Sequence, residues 1–245
     1  MRTWRYTVAH RDRTLHHDIG QLRTHAAERA KVRREIDGPY HDRGDQDVRI
    51  IAHRGAMATL AENTVDACRW SIDVEGANGL ALDVCVTRDG HAVCWHDPDP
   101  DTGLAVLRRL GFVDVGRFKP HAPEPDSPWR RPVVELTLAE LRAHYGYVPV
   151  SAPDVPASPI ATLREVMDAF AASGKLRHVV LDGRVADPRL ARAVLDALPA
   201  EPAFPVTLLF DDLAVVNVVR AALPASDTRV TVAWRRHAVK PESPI

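Results

Sequence analysis

Val48-Arg49-Ile50-Ile51-Ala52 is a short apolar run that stops at His53-Arg54-Gly55. A run of that length, ending in polar residues and a glycine, reads as a buried strand that opens into a loop. Working outward, residues 64–74 read as a helix with Val65, Cys68 and Ile72 on one face. Residues 80–86 are a second strand, Thr87-Arg88-Asp89-Gly90 is a turn, and 92–95 is a third strand ending at His96-Asp97. Nearer the C-terminus the alternation becomes regular. Residues 178–181, 206–210 and 229–234 are strands, Asp187-Pro188 opens a helix to Leu198, and Asp212 opens one to Leu223.

Strands alternating with helices imply a parallel sheet. Uninterrupted apolar strands imply that both faces of it are covered. The expected architecture is therefore α/β, a TIM-type (β/α) barrel. About six parallel strands follow residue 47, whereas a closed barrel of this kind has eight. An incomplete barrel leaves unpaired strand edges, so either poor solubility is expected or an edge covered by residues 1–47 or by another chain, as in a homo-oligomer. Between the two halves, residues 98–134 are rich in proline and aspartate and read as a loop or insertion. Thr137-Leu138-Ala139-Glu140 and Thr162-Leu163-Arg164-Glu165 are capping-box sequences, each opening a helix. The segment 148–157 reads as a proline-rich loop.

Residues 1–47 are polar, histidine-rich and weakly periodic. They read as an extension with one helix near residues 19–36, leaving 48–245 as the barrel domain. The basic stretch 29–34 is flanked by Glu28 and Glu35 and reads as a solvated helix face. Ala9-His10-Arg11-Asp12 and His16-His17-Asp18 have no strand before them and read as polar surface.

Composition narrows the function classes. The 245 residues carry 32 Lys and Arg against 33 Asp and Glu, a formal net charge of −1. That balance leaves neither a nucleic-acid footprint nor a polybasic membrane patch. No run reaches the ~18 apolar residues of a membrane span, and Met1-Arg2-Thr3-Trp4-Arg5 leads into no apolar signal core. Cys68, Cys85 and Cys94 are odd in number and lack zinc spacing, which fits reduced, packed thiols in a cytoplasmic setting.

Three polar motifs sit at strand ends: His53-Arg54-Gly55, Leu82-Asp83 and His96-Asp97. In parallel α/β barrels the carboxyl ends of the strands form the active-site mouth, so these groups should converge. Two histidines can share acid and base work. An arginine offers a fork of donors to an anionic phosphate. Carboxylates can hold a hard divalent cation. The set suits a phosphodiester, which needs charge neutralisation and proton transfer at both the attacking and the leaving oxygen.

The order and spacing of these pieces resemble the glycerophosphodiester phosphodiesterase family, whose pattern runs HRG, PENT, GADGIELDV-xx-TKDG, VxxHD. The matching pieces are His53-Arg54-Gly55, Ala61-Glu62-Asn63-Thr64, Gly76-Ala77-Asn78-Gly79-Leu80-Ala81-Leu82-Asp83-Val84, Thr87-Arg88-Asp89-Gly90 and Val93-Cys94-Trp95-His96-Asp97. Glu135-Leu136-Thr137-Leu138-Ala139-Glu140-Leu141 and Pro159-Ile160-Ala161-Thr162-Leu163-Arg164-Glu165-Val166 are similar to later family segments. The resemblance implies an enzyme of lipid metabolism that hydrolyses a small-molecule phosphodiester to glycerol 3-phosphate and an alcohol. It implies His53 and His96 as the acid–base pair, Arg54 and Arg184 at phosphate, Asp83 and Asp182 as ligands of Mg²⁺ or Ca²⁺, and Glu62 and Asn63 as supporting groups.

The chain also departs from that pattern. The carboxylate expected two residues before Asp83 is Ala81, on the same strand face, so the metal site is expected to be weakened. The family's Glu-x-Lys of the fourth strand corresponds to Asp182-Gly183-Arg184. The last two barrel units have no counterpart. Two alternatives to the hydrolase follow: an impaired relative that binds a phosphate-bearing metabolite, and a lyase-type phospholipase that stops at a cyclic phosphate.

Overall fold

The computed structural model describes residues 49–224 and 227–235. The readings for residues 1–47 (the extension, its helix, its basic stretch and its histidine pieces) lie outside the described residues, as does any part for them in covering a sheet edge.

In chain order the strands are β1 (Ile51–His53), β2 (Gly79–Val86), β3 (Ala92–Cys94), β4 (Phe118–His121), β5 (Gly146–Pro149), β6 (His178–Gly183), β7 (Val206–Phe210) and β8 (Val230–Trp234). The helices are α1 (Val65–Asp73), α2 (Gly103–Arg109), α3 (Leu138–His144), α4 (Leu163–Phe170), α5 (Arg189–Ala197) and α6 (Leu213–Ala222). The main sheet runs β1-β2-β6-β7-β8, with every neighbouring pair parallel. Register puts His53 beside Ala81, and Asp83 beside Asp182.

The two faces of this sheet differ, as the period-2 geometry of strands requires. Leu80, Leu82 and Val84 of β2, Val179 and Leu181 of β6, and Val206, Leu208 and Phe210 of β7 are buried in one cluster with Ile72, Val166, Phe170, Leu190, Val194 and Val216 from the helices. Each such side chain taken fully out of water contributes roughly 1.5–3 kcal/mol, so this layer holds the wall together. The other face carries Ala81, Asp182, Leu209 and Ala233, which are only half-buried, and the buried Asp83. That is the inner face of a barrel wall, open among the described residues.

The helix starts are as the sequence implies. Thr137 and Thr162 form complete capping boxes with Glu140 and Glu165. Thr64 and Asp212 cap α1 and α6 through their side chains. Pro188 opens α5 without a side-chain cap.

Two expectations are corrected. The third strand is not parallel: β3 pairs antiparallel with β2, Val84 opposite Cys94 and Val86 opposite Ala92. The link of residues 87–91 is far shorter than the dozen or so residues a parallel crossover needs. It closes as a tight turn in which Thr87 Oγ1 donates to Asp89 Oδ1 at 2.7 Å and accepts from the His91 amide at 2.9 Å, with Gly90 at φ 85°. His96-Asp97 therefore reaches the mouth on a hairpin arm, and Trp95 N donates to Asp83 O at 3.1 Å.

The second correction concerns residues 98–134, which are largely structured. Thr102 caps α2, β4 pairs antiparallel with β5, and residues 133–135 form a 3-10 turn. Strand β5 also takes the first residues of the segment expected to be a proline-rich loop. A second core of Trp95, Tyr145, Tyr147, Val133, Leu136, Leu141 and Ile160 lies beneath this subdomain. Helix α2 is turned against its own polarity: Leu104 and Leu107 are 46% and 43% exposed, while Ala105 and Arg108 are buried.

Candidate active site

The loop after β1 sets the site. Arg54 and Asn63 both adopt left-handed backbone, at φ 59° and 57°, and Asn63 N donates to Arg54 O at 2.9 Å to close the loop on itself. Gly55, at φ 76°, lets α1 approach: a Cβ there would lie 2.6 Å from the Ala67 backbone carbon. The remaining left-handed residue other than glycine among those described is Asp114, at φ 49°. A left-handed backbone is costly without glycine and persists where the surroundings over-determine it, commonly at functional sites. All three of these residues belong to one buried network.

At its centre are two guanidiniums. Arg54 is 4% exposed. Its Nη1 donates to Glu62 Oε2 at 3.1 Å and to Asp114 Oδ2 at 2.7 Å. Its Nε lies 2.7 Å from Asp83 Oδ2, a charge contact off the angle of a hydrogen bond. Arg108 is fully buried. It donates to the second Glu62 oxygen, to Asp97 Oδ2 at 3.2 Å, and to Asp114 Oδ2 at 3.1 Å and O at 2.8 Å. Asn63 grips Asp83 twice: Nδ2 donates to Asp83 Oδ2 at 3.0 Å, and Oδ1 accepts from Asp83 N at 3.1 Å.

His96 is 4% exposed, and its Nδ1 lies 2.5 Å from Asp97 Oδ1. With Asp97 at Nδ1, the ring presents Nε2 as its working nitrogen. Burial pushes the Asp97 carboxyl up, but the contacts with His96 and Arg108 hold it below the usual range. Asp114 is likewise pushed up by burial and held lower by Arg54 and Arg108. His53 ends β1 and is partly buried. Burial first, and then the neighbouring Arg54 charge, lower its pKa below the ordinary histidine value, so it is neutral near pH 7.

Arg184 follows β6. Its N donates to Val84 O at 2.9 Å and its Nε to His96 O at 3.2 Å. Its Nη1 is 3.7 Å from Asp182 Oδ2, and its side chain is 23% exposed. Asp182 also meets Arg235 Nη2 at 3.1 Å. Cys85 lies on the Asp83 side of β2, but it is fully buried with Sγ 3.2 Å from Trp95 O.

Every residue expected at the site is thus placed at the carboxyl ends of β1, β2 and β6 or on the hairpin arm beside them. Their partners differ from expectation. Arg54, expected at phosphate, is engaged by three carboxylates. Asp83 and Asp182, expected to ligate a cation, sit side by side, but Asp83 Oδ2 is held by Arg54 and Asn63, and Asp182 by Arg235. Among the described residues no three His, Cys, Asp or Glu side chains are grouped to hold a metal ion. As the donors stand, they do not fit Mg²⁺ or Ca²⁺, which need several oxygens free to converge at ~2.0–2.6 Å.

Sequence reasoning missed Arg108 and Asp114. Arg108 sits next to Arg109 on a helix whose leucines face outward, and nothing in the sequence separates the buried arginine from the one beside it.

The profile of the Glycerophosphoryl diester phosphodiesterase family matches residues 53–190. The Mycobacterium tuberculosis protein named probable glycerophosphodiester phosphodiesterase 1 is 50% identical over 69 residues, 27% of this chain and 25% of the relative. Human glycerophosphodiester phosphodiesterase 1 is 33% identical over 104 residues, 40% of this chain and 31% of the relative. The chain thus matches less than a third of the length of either. Among solved structures, a Silicibacter pomeroyi protein assigned to the glycerophosphoryl diester phosphodiesterases aligns over 76% of this chain and 64% of its own, with TM-score 0.54 and 23% identity. An Oleispira antarctica phosphodiesterase in complex with the product sn-glycerol-3-phosphate aligns over 80% and 68%, with TM-score 0.50 and 15% identity. These likenesses show the fold, a TIM-type barrel. With a profile match spanning more than half of its residues, the chain belongs to the glycerophosphoryl diester phosphodiesterase family.

Proposed function

We propose that this chain hydrolyses a glycerophosphodiester to glycerol 3-phosphate and an alcohol, with His53 and His96 as the acid–base pair. What supports the reading is that His53 ends β1, the His96–Asp97 dyad stands on the hairpin arm of β2, and the half-open Arg184 follows β6 and donates to His96 O. A hydroxyl of the glycerol attacks phosphorus, and neutral His53 takes its proton. His96, held through Nδ1 by Asp97, gives a proton from Nε2 to the departing alcohol oxygen. Water then opens the cyclic phosphate with the two roles reversed, so that protons and bonds balance over the cycle. Arg184 is the guanidinium left open to take the charge of the phosphoryl group. Asn63 and Glu62 act behind it, one fixing Asp83 and the other joining the two buried arginines.

The test is release of glycerol 3-phosphate from a simple glycerophosphodiester such as glycerophosphocholine. Release supports the hydrolase. Accumulation of a cyclic phosphate would instead indicate the lyase reading. Binding of glycerol 3-phosphate without turnover would indicate a relative that only binds. The pH profile carries the sign of the His53 shift. A base with a lowered pKa keeps its lone pair to lower pH, so the acid limb of kcat/KM should have its midpoint below about 6.5. A midpoint at or above pH 7 would remove His53 from the role of base.

A further inference from the structure

The disagreement between the donor set and a divalent cation has a positive content. We infer that the Arg54 guanidinium occupies the cation position of this site, so that the chain holds its active-site carboxylates together without a metal ion.

Position comes first. Glu62, Asp83 and Asp114 approach one another from the loop after β1, from β2 and from the segment after α2, and the group on which all three converge is Arg54. Two buried carboxylates, Glu62 and Asp83, with the partly exposed Asp114 beside them, need a cation among them. Here that cation is covalently part of the chain.

Spacing agrees. The oxygens stand 2.7, 2.7 and 3.1 Å from Arg54 nitrogens, the heavy-atom spacing of N–H···O pairs, with the Asp83 contact at Nε a charge contact off the hydrogen-bond angle. Metal–oxygen distances would be ~2.0–2.1 Å for Mg²⁺ and ~2.3–2.6 Å for Ca²⁺. The carboxylates are spread around a planar fork rather than drawn in around a point charge.

The Arg54 side chain is also fixed at its root. Its backbone is left-handed, its N donates to Ala81 O at 2.7 Å, and its O accepts from Asn63. The family's missing carboxylate falls at Ala81, the residue to which Arg54 is hydrogen-bonded. With a methyl group at 81, the guanidinium already meets its full set of acids, and a further carboxylate would add uncompensated negative charge. Arg108 completes the arrangement by taking the second oxygen of Glu62 and one of Asp97. Both oxygens of each of these two carboxylates are therefore engaged.

Calorimetric titration of the full chain with MgCl₂ and with CaCl₂ tests this without reference to hydrolysis, alongside Arg54→Met and Arg54→Lys. The native chain should give no saturable heat up to ~1 mM metal, the weak end of protein calcium sites, and its melting temperature should be unchanged by chelator. Arg54→Met, which removes the charge but keeps an apolar stem of similar length, should gain binding by at least tenfold. Arg54→Lys, which keeps the charge, should gain none. Binding at ~1 mM or tighter by the native chain would overturn the inference. So would a folded Arg54→Met that takes up no metal. If Arg54→Met fails to fold, the native titration and the chelator melt decide alone. Loss of the proposed hydrolysis would leave this result standing, because its readout is metal uptake; conversely, tight metal binding by the native chain would leave the hydrolase reading intact.

Discussion

His96→Ala is expected to lower hydrolysis of a glycerophosphodiester by about 10²-fold or more, and His53→Ala by a similar factor, the scale of a lost general acid or base. The two should differ in how the loss appears. His53 ends a strand on the half-open inner face, and its removal takes away the base while the phosphate contacts remain, so kcat should fall with little change in KM. His96 is enclosed, with Nδ1 against Asp97. Its loss should cost kcat and also loosen the arm on which Arg184 rests through His96 O. A leaving alcohol of low pKa needs no proton, so a nitrophenyl ester of glycerol phosphate should recover much of the His96→Ala loss and none of the His53→Ala loss. Full activity in both variants would sink the assigned mechanism. Equal rescue of both would show that the acid and base roles are misplaced.

The second large effect is on stability. Arg108→Met should destabilise the fold by roughly 3–5 kcal/mol, the cost of removing one partner from a buried ion pair. Arg108 is fully buried and serves Glu62, Asp97 and Asp114 together. Methionine fills the volume but leaves the buried Glu62 and Asp97 carboxylates short of donors, while the partly exposed Asp114 can turn to water. Arg108→Lys should lose less stability, since it keeps the charge, but it cannot reproduce the fork and should still misalign Asp97. Urea denaturation of the three forms provides the comparison. A shift of less than about 1 kcal/mol for Arg108→Met, the size of a surface pair, would mean that the network is solvated and that its burial is misjudged. The Asp97 and Asp114 shifts add a pH signature. Both carboxyls are held low in the folded chain, so their stabilisation is complete above the ordinary aspartate value. It fades as pH falls through their depressed folded values.

The strands were legible as short, largely apolar runs, as at 178–181 and 206–210, although the face they turn to the mouth is only half-buried. Helix starts were legible where a threonine is followed three residues later by glutamate. The direction of β3 was legible from chain length alone: the five residues from Thr87 to His91 cannot make a parallel crossover. The residues proposed to bear the site stand out through their spacing; their partners do not. Arg54 looks the same in sequence whether it faces a phosphate or three carboxylates, and what decides is the left-handed backbone at 54, 63 and 114, which non-glycine residues do not announce. Arg108 stayed hidden because α2 buries its charge and exposes its leucines, the reverse of the polarity on which periodicity arguments rest.

The hairpin arm has a consequence in time as well as in space. Asp83 and His96 are 13 positions apart and are joined by a turn that can close within microseconds, as hairpins do. Asp83 and Asp182 lie nearly a hundred positions apart, and a parallel pairing of that span must wait for a long loop to close. The histidine–carboxylate half of the site should therefore gather early around β2, and the half carrying Asp182 and Arg184 should dock onto it late. Pulse-labelled amides would show this order as protection at Trp95, whose N–H donates to Asp83 O, ahead of Arg184, whose N–H donates to Val84 O; simultaneous protection would mean that the sheet condenses in one step. If the order holds, a nascent chain passes through a stage in which the His96–Asp97 pair is in place before Arg184, the arginine proposed to receive the phosphate.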